Sequence, residues 1–479
     1  MIKNYINGEL IEAVSGEFFD NYDPSEGEAY DIVPDSDERD IQLAASAAKS
    51  AFPSWSVTPV EERSKIMMRI AELIRRDLGE LARAECVDNG KPLSLAKSID
   101  IPRAIRNFEF FASAIQGFAS ESHPTEDRAI NYTLRNPIGV VGAISPWNLP
   151  LYLFTWKIAP ALITGNCVVA KPSEITPMTA YLLSELCIEA GLPKGVLNIV
   201  HGYGQKVGRA ISSHPKIKAI TFTGGTKTGA DIASIAAPMF KKLSLELGGK
   251  NPNIIFADCR YEEMLETTVR SSFQNQGEIC LCGSRIFVEK SLYDKFKTDF
   301  VKRTKKLKVG DPLDHDTDQG AIVSKQHMEK ILSYIELAKT EGGKILCGGK
   351  RVELEGRCKN GWFIEPTIIE ELPYNCRTNQ EEIFGPVVSL IPFEIEEEAL
   401  MMANSSEYGL ASIIWTENLS RAHRAAAKIQ TGIVWINCWM VRDLRTPFGG
   451  MKNSGVGREG GMEALRFFTE PKNVCVKLW

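Results

Sequence analysis

The feature that most constrains this chain is a change of hydrophobic period near residue 138. Before it, apolar residues recur at helical spacing at about 41–52, 60–83 and 100–117. After it come short apolar runs without polar alternation: Ile138-Gly-Val-Val-Gly-Ala-Ile144, Cys167-Val-Val-Ala170, Val196-Leu-Asn-Ile-Val200 and Lys218-Ala-Ile-Thr-Phe222. Helical stretches separate them, at about 151–164, 176–190 and 203–213. A strand that is apolar on both faces is buried on both, and strands alternating with helices belong in a covered parallel sheet. The sequence therefore predicts a doubly wound α/β fold. A second alternating region starts at Asn253-Ile-Ile-Phe256 and runs past Trp435. Such sheets bind ligands beyond the carboxyl ends of their strands, so the chemistry is sought in the segments that follow them.

A chain of 479 residues suggests about three structural units. The expected division is 1–118 with 138–248, then 249–462, with 119–137 and 463–479 as extended segments that pair with another element or another subunit. A homo-oligomer, dimer or tetramer, is the corresponding expectation. With 56 basic against 61 acidic side chains, the net charge of -5 gives no footprint for nucleic acid or an anionic membrane. The 11 cysteines are irregularly spaced and are read as thiols, and no metal ligands are assigned. Neither a signal-length apolar run at Met1–Leu10 nor an apolar stretch approaching ~18 residues is present, which sets the expectation of a cytoplasmic protein.

Three stretches carry chemistry. In Phe273-Gln-Asn-Gln-Gly-Glu-Ile-Cys280-Leu-Cys282-Gly-Ser-Arg285, a thiol follows a polar, glycine-containing run and is presented at a turn, where backbone amides can favour its thiolate. Taken alone, a buried structural cysteine is the competing reading. In Leu243-Ser-Leu-Glu246-Leu-Gly-Gly-Lys250-Asn-Pro252, a carboxylate among leucines is a usable general base, and the two glycines let another group come close. In Ile144-Ser-Pro-Trp-Asn148-Leu-Pro150, an amide is fixed in a turn at a strand end, as an oxyanion donor must be. A solvated Glu and a turn-filling Asn are the bland counterparts.

Together these stretches resemble the glutamate and cysteine signatures of the aldehyde dehydrogenase superfamily, and the resemblance runs from Asn21-Tyr-Asp-Pro24 to the C-terminal strand. It implies a Rossmann-type domain that binds NAD, a catalytic α/β domain and a small oligomerisation element. It also implies Cys280 as nucleophile, Glu246 as general base, and Asn148 with the Cys280 N–H as oxyanion hole. Cys282 is a bystander, Arg285 matches an arginine that regularly follows the nucleophile, and Glu278 stands where members carry Gln or Glu. The implied chemistry is a thiohemiacetal, loss of hydride to the nicotinamide, and hydrolysis of the thioester.

No G-x-G-x-x-G lies between a strand and a helix. Instead Thr221-Phe-Thr-Gly224-Gly225-Thr-Lys-Thr-Gly229 follows a strand and opens a helix at about 229–237, where a pyrophosphate can approach the helix N-terminus. Lys171 and Glu174, in Val169-Ala-Lys171-Pro-Ser-Glu174, match the family's ribose contacts, and a carboxylate there favours NAD over NADP. Glu382 and Phe384, in Glu381-Glu382-Ile-Phe384-Gly-Pro386, match the segment that holds the nicotinamide ribose, with Trp147 in the same cleft.

For the substrate, Trp435-Ile-Asn-Cys-Trp439-Met-Val-Arg442 leads to Phe448, which matches an aromatic of the family's aldehyde pocket; Trp439 and Met440 are further lining candidates. Arg442, and Arg103 in Asp100-Ile-Pro-Arg103, resemble the branch acting on 2-aminomuconate and 2-hydroxymuconate semialdehydes, where the matching arginines anchor a carboxylate. The alternative is a structural pair of arginines, Arg442 with Asp443 or Glu382. A succinic semialdehyde-type dehydrogenase remains an alternative substrate class. A CoA-acylating relative has no need of Glu246, and a non-catalytic binding protein has no need of Cys280.

Overall fold

The computed structural model describes residues 1–479, and the alternation resolves into two large sheets. From one edge, the first sheet runs Glu9–Ile11, Asn4–Ile6, Leu197–Ile199, Cys167–Lys171, Val140–Ile144, Ile217–Thr223, Lys242–Glu246 and Gly455–Val456. Its five central strands are parallel. Val140–Ile144 and Cys167–Lys171 are buried at every residue, as their unbroken apolar runs require. The helix Pro150–Ile163 is buried at all 14 positions, consistent with a helix apolar all round and enclosed by its neighbours.

The second sheet runs Lys344–Cys347, Thr367–Glu370, Val387–Phe393, Arg285–Glu289, Pro252–Ile255, Ala411–Trp415 and Ile433–Ile436. All but its first strand are parallel to their neighbours. Separate apolar cores pack against the two sheets. A third, antiparallel ribbon joins Ser122–Thr125 to Ala129–Pro137 and Ala129–Pro137 to Thr469–Lys477. No helix is long and apolar enough to cross a membrane.

Several boundaries differ from the sequence reading. The helical stretch at 60–83 is two helices, Val60–Arg76 and Leu78–Asn89, because Asp77 leaves helical geometry at φ -100° and ψ 20°. The stretch at 100–117 is preceded by a wider turn at Ala96–Asp100, just before Pro102, which has no amide for the helical ladder. The helix after the Gly224-Gly225 loop opens at Thr226, three residues earlier than 229. Gly455–Val456 crosses back to pair with Leu245 and Glu246 on the first sheet.

Arg285, at the start of a central strand, is buried and stitches the second unit together. Its guanidinium donates to the carbonyls of Lys250 (2.9 Å), Met402 (3.1 Å) and Ala403 (2.8 Å). The last two end the helix Glu396–Asn404, so one side chain caps a helix and ties it to the loop after Glu246. Arg285→Leu leaves these buried carbonyls without their donors and is expected to cost about 3 kcal/mol, read as a lowered urea midpoint.

Candidate active site

Parallel neighbours in register end at one edge, and this edge gathers the first half of the site. Ile144 lies opposite Lys171 and Phe222, and Thr223 lies opposite Glu246. Asn148, Lys171, Gly224, Gly225 and Glu246 therefore occupy successive strand ends.

The second sheet contributes the thiol. Cys280 sits in a turn between the helix Tyr261–Phe273 and the strand Arg285–Glu289. The approach to it is unusual: Asn275, Gln276 and Gly277 have φ of 55°, 55° and 69° in succession. Left-handed backbone is costly for residues with a Cβ, so this run persists only because it is held. Gln276 donates to the Ala321 carbonyl (3.1 Å) and accepts from the Gly320 N–H (3.3 Å). At Gly277 a Cβ would lie 2.3 Å from the Gly385 carbonyl oxygen, so glycine is required there. Beyond the thiol, Asn251 donates to the carbonyls of Cys280 (2.7 Å) and Cys282 (2.9 Å) and accepts from the Ala411 N–H (3.0 Å). Cys282 is buried in the apolar core of the second sheet.

Asn148 meets this loop directly. Its Nδ2 donates to the Glu278 carbonyl (2.9 Å), and its own carbonyl accepts from Lys91 Nζ (3.0 Å). Lys91 is fully buried and bonded to Asp100. One Nδ2 hydrogen of Asn148 and the Cys280 N–H have no partner within the loop, so both are free to face a developing oxyanion.

Two clefts flank Cys280. One, of about 220 Å³, is lined by Trp147, Asn148, Gly224, Gly225, Glu382 and Phe384 together with Cys280. Trp147 packs edge-on against Phe384 and His327, at 5.2 and 5.1 Å between ring centres. Glu382 accepts from the Gly249 N–H (2.8 Å), and a Cβ on Gly248 would lie 2.4 Å from its carboxylate. The glycine pair after Glu246 thus makes room for Glu382. Lys171 and Glu174 stand at the adjacent strand end as an ion pair (2.7 Å), and the Gly204 N–H donates to Glu174 (3.2 Å). Burial alone would raise the Glu174 pKa; Lys171 and the amide outweigh it and hold the group below its ordinary value. The residues present fit a dinucleotide: the helix starting at Thr226 opens beside a glycine pair, Gly225 has open space where a Cβ would be, and the buried Thr223 hydroxyl has no protein partner.

The second cleft, of about 470 Å³, is lined by Arg103, Trp439, Met440 and Arg442, and reaches Ile279, the neighbour of Cys280. Trp439 Nε1 donates to the Leu281 carbonyl (3.0 Å), which fixes this wall to the thiol loop. Arg442 pairs with neither Asp443 nor Glu382. It donates to the Tyr152 hydroxyl (2.6 Å), while Asp443 is taken by Arg445 (2.6 Å). Phe448 lies outside the lining, behind Arg442, with its ring centre 4.2 Å from the guanidinium. The Arg103 guanidinium lies over Tyr152 and Trp156, at 5.2 and 5.7 Å, and its buried Nε and Nη2 have no hydrogen-bond partner.

The acid–base groups are shaped by burial. Glu246 is 3% exposed and neither carboxylate oxygen has a partner. Burial raises its pKa well above the ordinary range, and the charge of Glu459 adds to this. Glu459 accepts from Lys157 (2.8 Å) and from the Thr221 hydroxyl (3.0 Å) behind it. Burial likewise pushes the Cys280 thiol up to about 12, with Glu382 and Glu246 adding and Arg442 opposing. The resting group is a thiol that needs a base before it attacks. Lys91, Asn251, Lys157 and Glu459 were missed in the sequence. Only Asn251 lay within a singled-out stretch, and nothing local marks the others.

A half-buried thiol, an unpartnered carboxylate and a free amide pair lie between a glycine-walled cleft and an arginine-lined one, a set fitted to covalent oxidation of an aldehyde. The Aldehyde dehydrogenase family profile matches residues 10–474, and the chain belongs to that family. It is 50% identical over 480 residues to the 2-aminomuconic semialdehyde dehydrogenase of Bos taurus, spanning 100% of this chain and 98% of the relative. It is 46% identical to the 2-hydroxymuconic semialdehyde dehydrogenase of Pseudomonas sp. (strain CF600), spanning 100% and 99% of the two chains. Among solved structures, a P. syringae indole-3-acetaldehyde dehydrogenase mutant in complex with NAD+ and IAA superposes with a TM-score of 0.97 at 40% identity, over 100% of this chain and 97% of that one.

A carboxyl that serves as hydrolytic base must be ionised; with Glu246, whose pKa is raised, in that role, thioester hydrolysis is expected to rise with pH along a limb above the ordinary carboxylate range. In Glu246→Gln the limb should vanish and acyl-enzyme accumulate, both measurable by rapid quench and intact-protein mass spectrometry across pH.

Proposed function

We propose that this protein oxidises a carboxylate-bearing semialdehyde, of the 2-aminomuconate or 2-hydroxymuconate semialdehyde type, to the corresponding acid with NAD. The observation that carries this reading is the state of the inner arginines. Arg103 has buried donors without partners, and Arg442 has aromatic neighbours and a hydroxyl but no carboxylate. A half-buried guanidinium is costly unless paired, and a substrate carboxylate is its bidentate complement. The names of the relatives at 50% and 46% identity support the same class. A neutral aldehyde would leave both cations unmet, while a shorter semialdehyde of the succinic type is the remaining alternative.

In this proposal the glycine-walled cleft holds the nicotinamide half of the dinucleotide, with Glu382 and Phe384 beside it. Lys171 and Glu174 hold the adenosine ribose. Bound NAD supplies the hydride acceptor. Cys280 Sγ gives up its thiol proton to solvent and forms the bond to the aldehyde carbon. Asn148 Nδ2 and the Cys280 N–H face the oxygen that gains charge. Once the acyl group is a thioester on Sγ, Glu246 takes a proton from the water that displaces it.

Residues 1–118 with 138–248 would form the NAD-binding domain and 249–462 the catalytic one. The ribbon of 119–137 and 463–479 would carry self-association. Ile130, Tyr132, Leu134, Val476 and Leu478 are all exposed on the ribbon or at its end, which supports a partner face.

NADH formation with a panel from acetaldehyde through succinic semialdehyde to 2-hydroxymuconate semialdehyde tests the reading; preference for neutral aldehydes overturns it. Arg442→Ala and Arg103→Ala are each expected to raise KM for carboxylated aldehydes by about tenfold or more and for neutral ones much less. Cys280→Ala is expected to abolish turnover while NAD binding, followed by fluorescence, persists.

A further inference from the structure

The arginine-lined cleft holds more positive charge than one carboxylate requires. Four guanidinium groups line it: Arg103, Arg106, Arg270 and Arg442. The two beyond the inner pair, Arg106 and Arg270, are exposed at its mouth. Arg106 sits one helical turn after Arg103 on the helix Ile101–Ala114, and Arg270 is in the last turn of Tyr261–Phe273, its guanidinium 5.8 Å from the Trp439 ring centre.

None of the four is ion-paired, although carboxylates are available on the same helices. Glu109 is bonded to Arg75 (2.5 Å) and Glu262 to Arg303, while Glu263 and Glu266, on the helix of Arg270, make no ion pair and lie outside the cleft lining. Asp100, the single carboxylate in the cleft wall, is neutralised by Lys91. The cations also act on one another: after burial and Tyr152, the charges of Arg442 and Arg106 depress the Arg103 guanidinium. On a chain of net charge -5, this is a local reversal of sign at the entrance to one cleft.

We propose that Arg106 and Arg270 form an outer electrostatic collar that captures anionic aldehydes and delivers them to Arg103 and Arg442. The proposal rests on the carboxylate reading of the inner pair and adds a function for the outer one. A cleft lined by one sign of charge focuses the field and accelerates encounter with the opposite charge, an effect that salt screens. The outer pair sets the capture rate; the inner pair sets the bound pose.

The test is the salt dependence of kcat/KM for the intact enzyme with NAD, using 2-hydroxymuconate semialdehyde and a neutral aldehyde as the two arms. For the double variant Arg106→Gln/Arg270→Gln, the anionic-to-neutral ratio of kcat/KM is expected to fall about tenfold at low ionic strength and to converge with wild type, within about twofold, near ~0.5 M salt. Arg106→Lys/Arg270→Lys, which keeps the charge, should retain capture. A loss that persists at high salt overturns steering in favour of direct contact. An unchanged salt slope in the Gln variant, with the wild-type preference for the anion intact, overturns the collar alone. A wild type that takes neutral aldehydes as readily as carboxylated ones overturns the substrate class and the collar together.

Discussion

Everything in this molecule follows from strands that are covered on both faces. Residues within Val140–Ile144 and Cys167–Lys171 have no exposed face on which to place chemistry, so reactive groups are displaced to the strand ends. Parallel pairing then aligns those ends. The register that puts Ile144 opposite Lys171 and Thr223 opposite Glu246 also brings the ribose-binding candidates, the glycine loop and the Glu246 carboxylate to one rim. The second sheet repeats the arrangement, and its thiol loop closes over that rim through Asn148 and Glu278.

How far the sequence could be read follows from the same physics. The apolar runs marked the parallel strands, and the segments after them marked Asn148, Glu246, Gly224 and Cys280, which the structure brings together. Periodicity reports burial, however, and does not name partners. Arg442 was weighed against Asp443 and Glu382, yet it bonds to Tyr152, 290 positions away. Lys157 and Glu459 are 302 positions apart and only the folded chain shows them as a pair. Phe448 was legible as an aromatic near the pocket, but its place behind Arg442, as a platform, was not. The break at Asp77 was hidden by an apolar pattern that continues across it.

The site keeps opposite charges apart and unspent. Glu246 is buried without a hydrogen bond, and Arg103 has buried donors without partners. Aromatic faces hold the guanidiniums in place without neutralising them, at 4.2 Å for Phe448 under Arg442 and 5.2 Å for Tyr152 under Arg103. Such groups cost stability in the resting protein and are tolerated where a reaction needs them unpaired. The stitching by Arg285 and the clamp by Asn251 supply rigidity around them, since both bind backbone carbonyls and leave the reacting groups free.

The return of Gly455–Val456 to the first sheet bears on how the protein is made. Lys242–Glu246 is an edge until that segment arrives more than two hundred residues later. During synthesis from the N-terminus, the emerging half therefore carries an open edge at the strand that ends in Glu246. Glu246 pairs with Gly455, and Gly449 and Glu459 of the same returning stretch lie beside it or act on it by charge, so this stretch supplies part of the surroundings that raise its pKa. The stretch that seals the sheet is thus also the one that completes the carboxylate's setting.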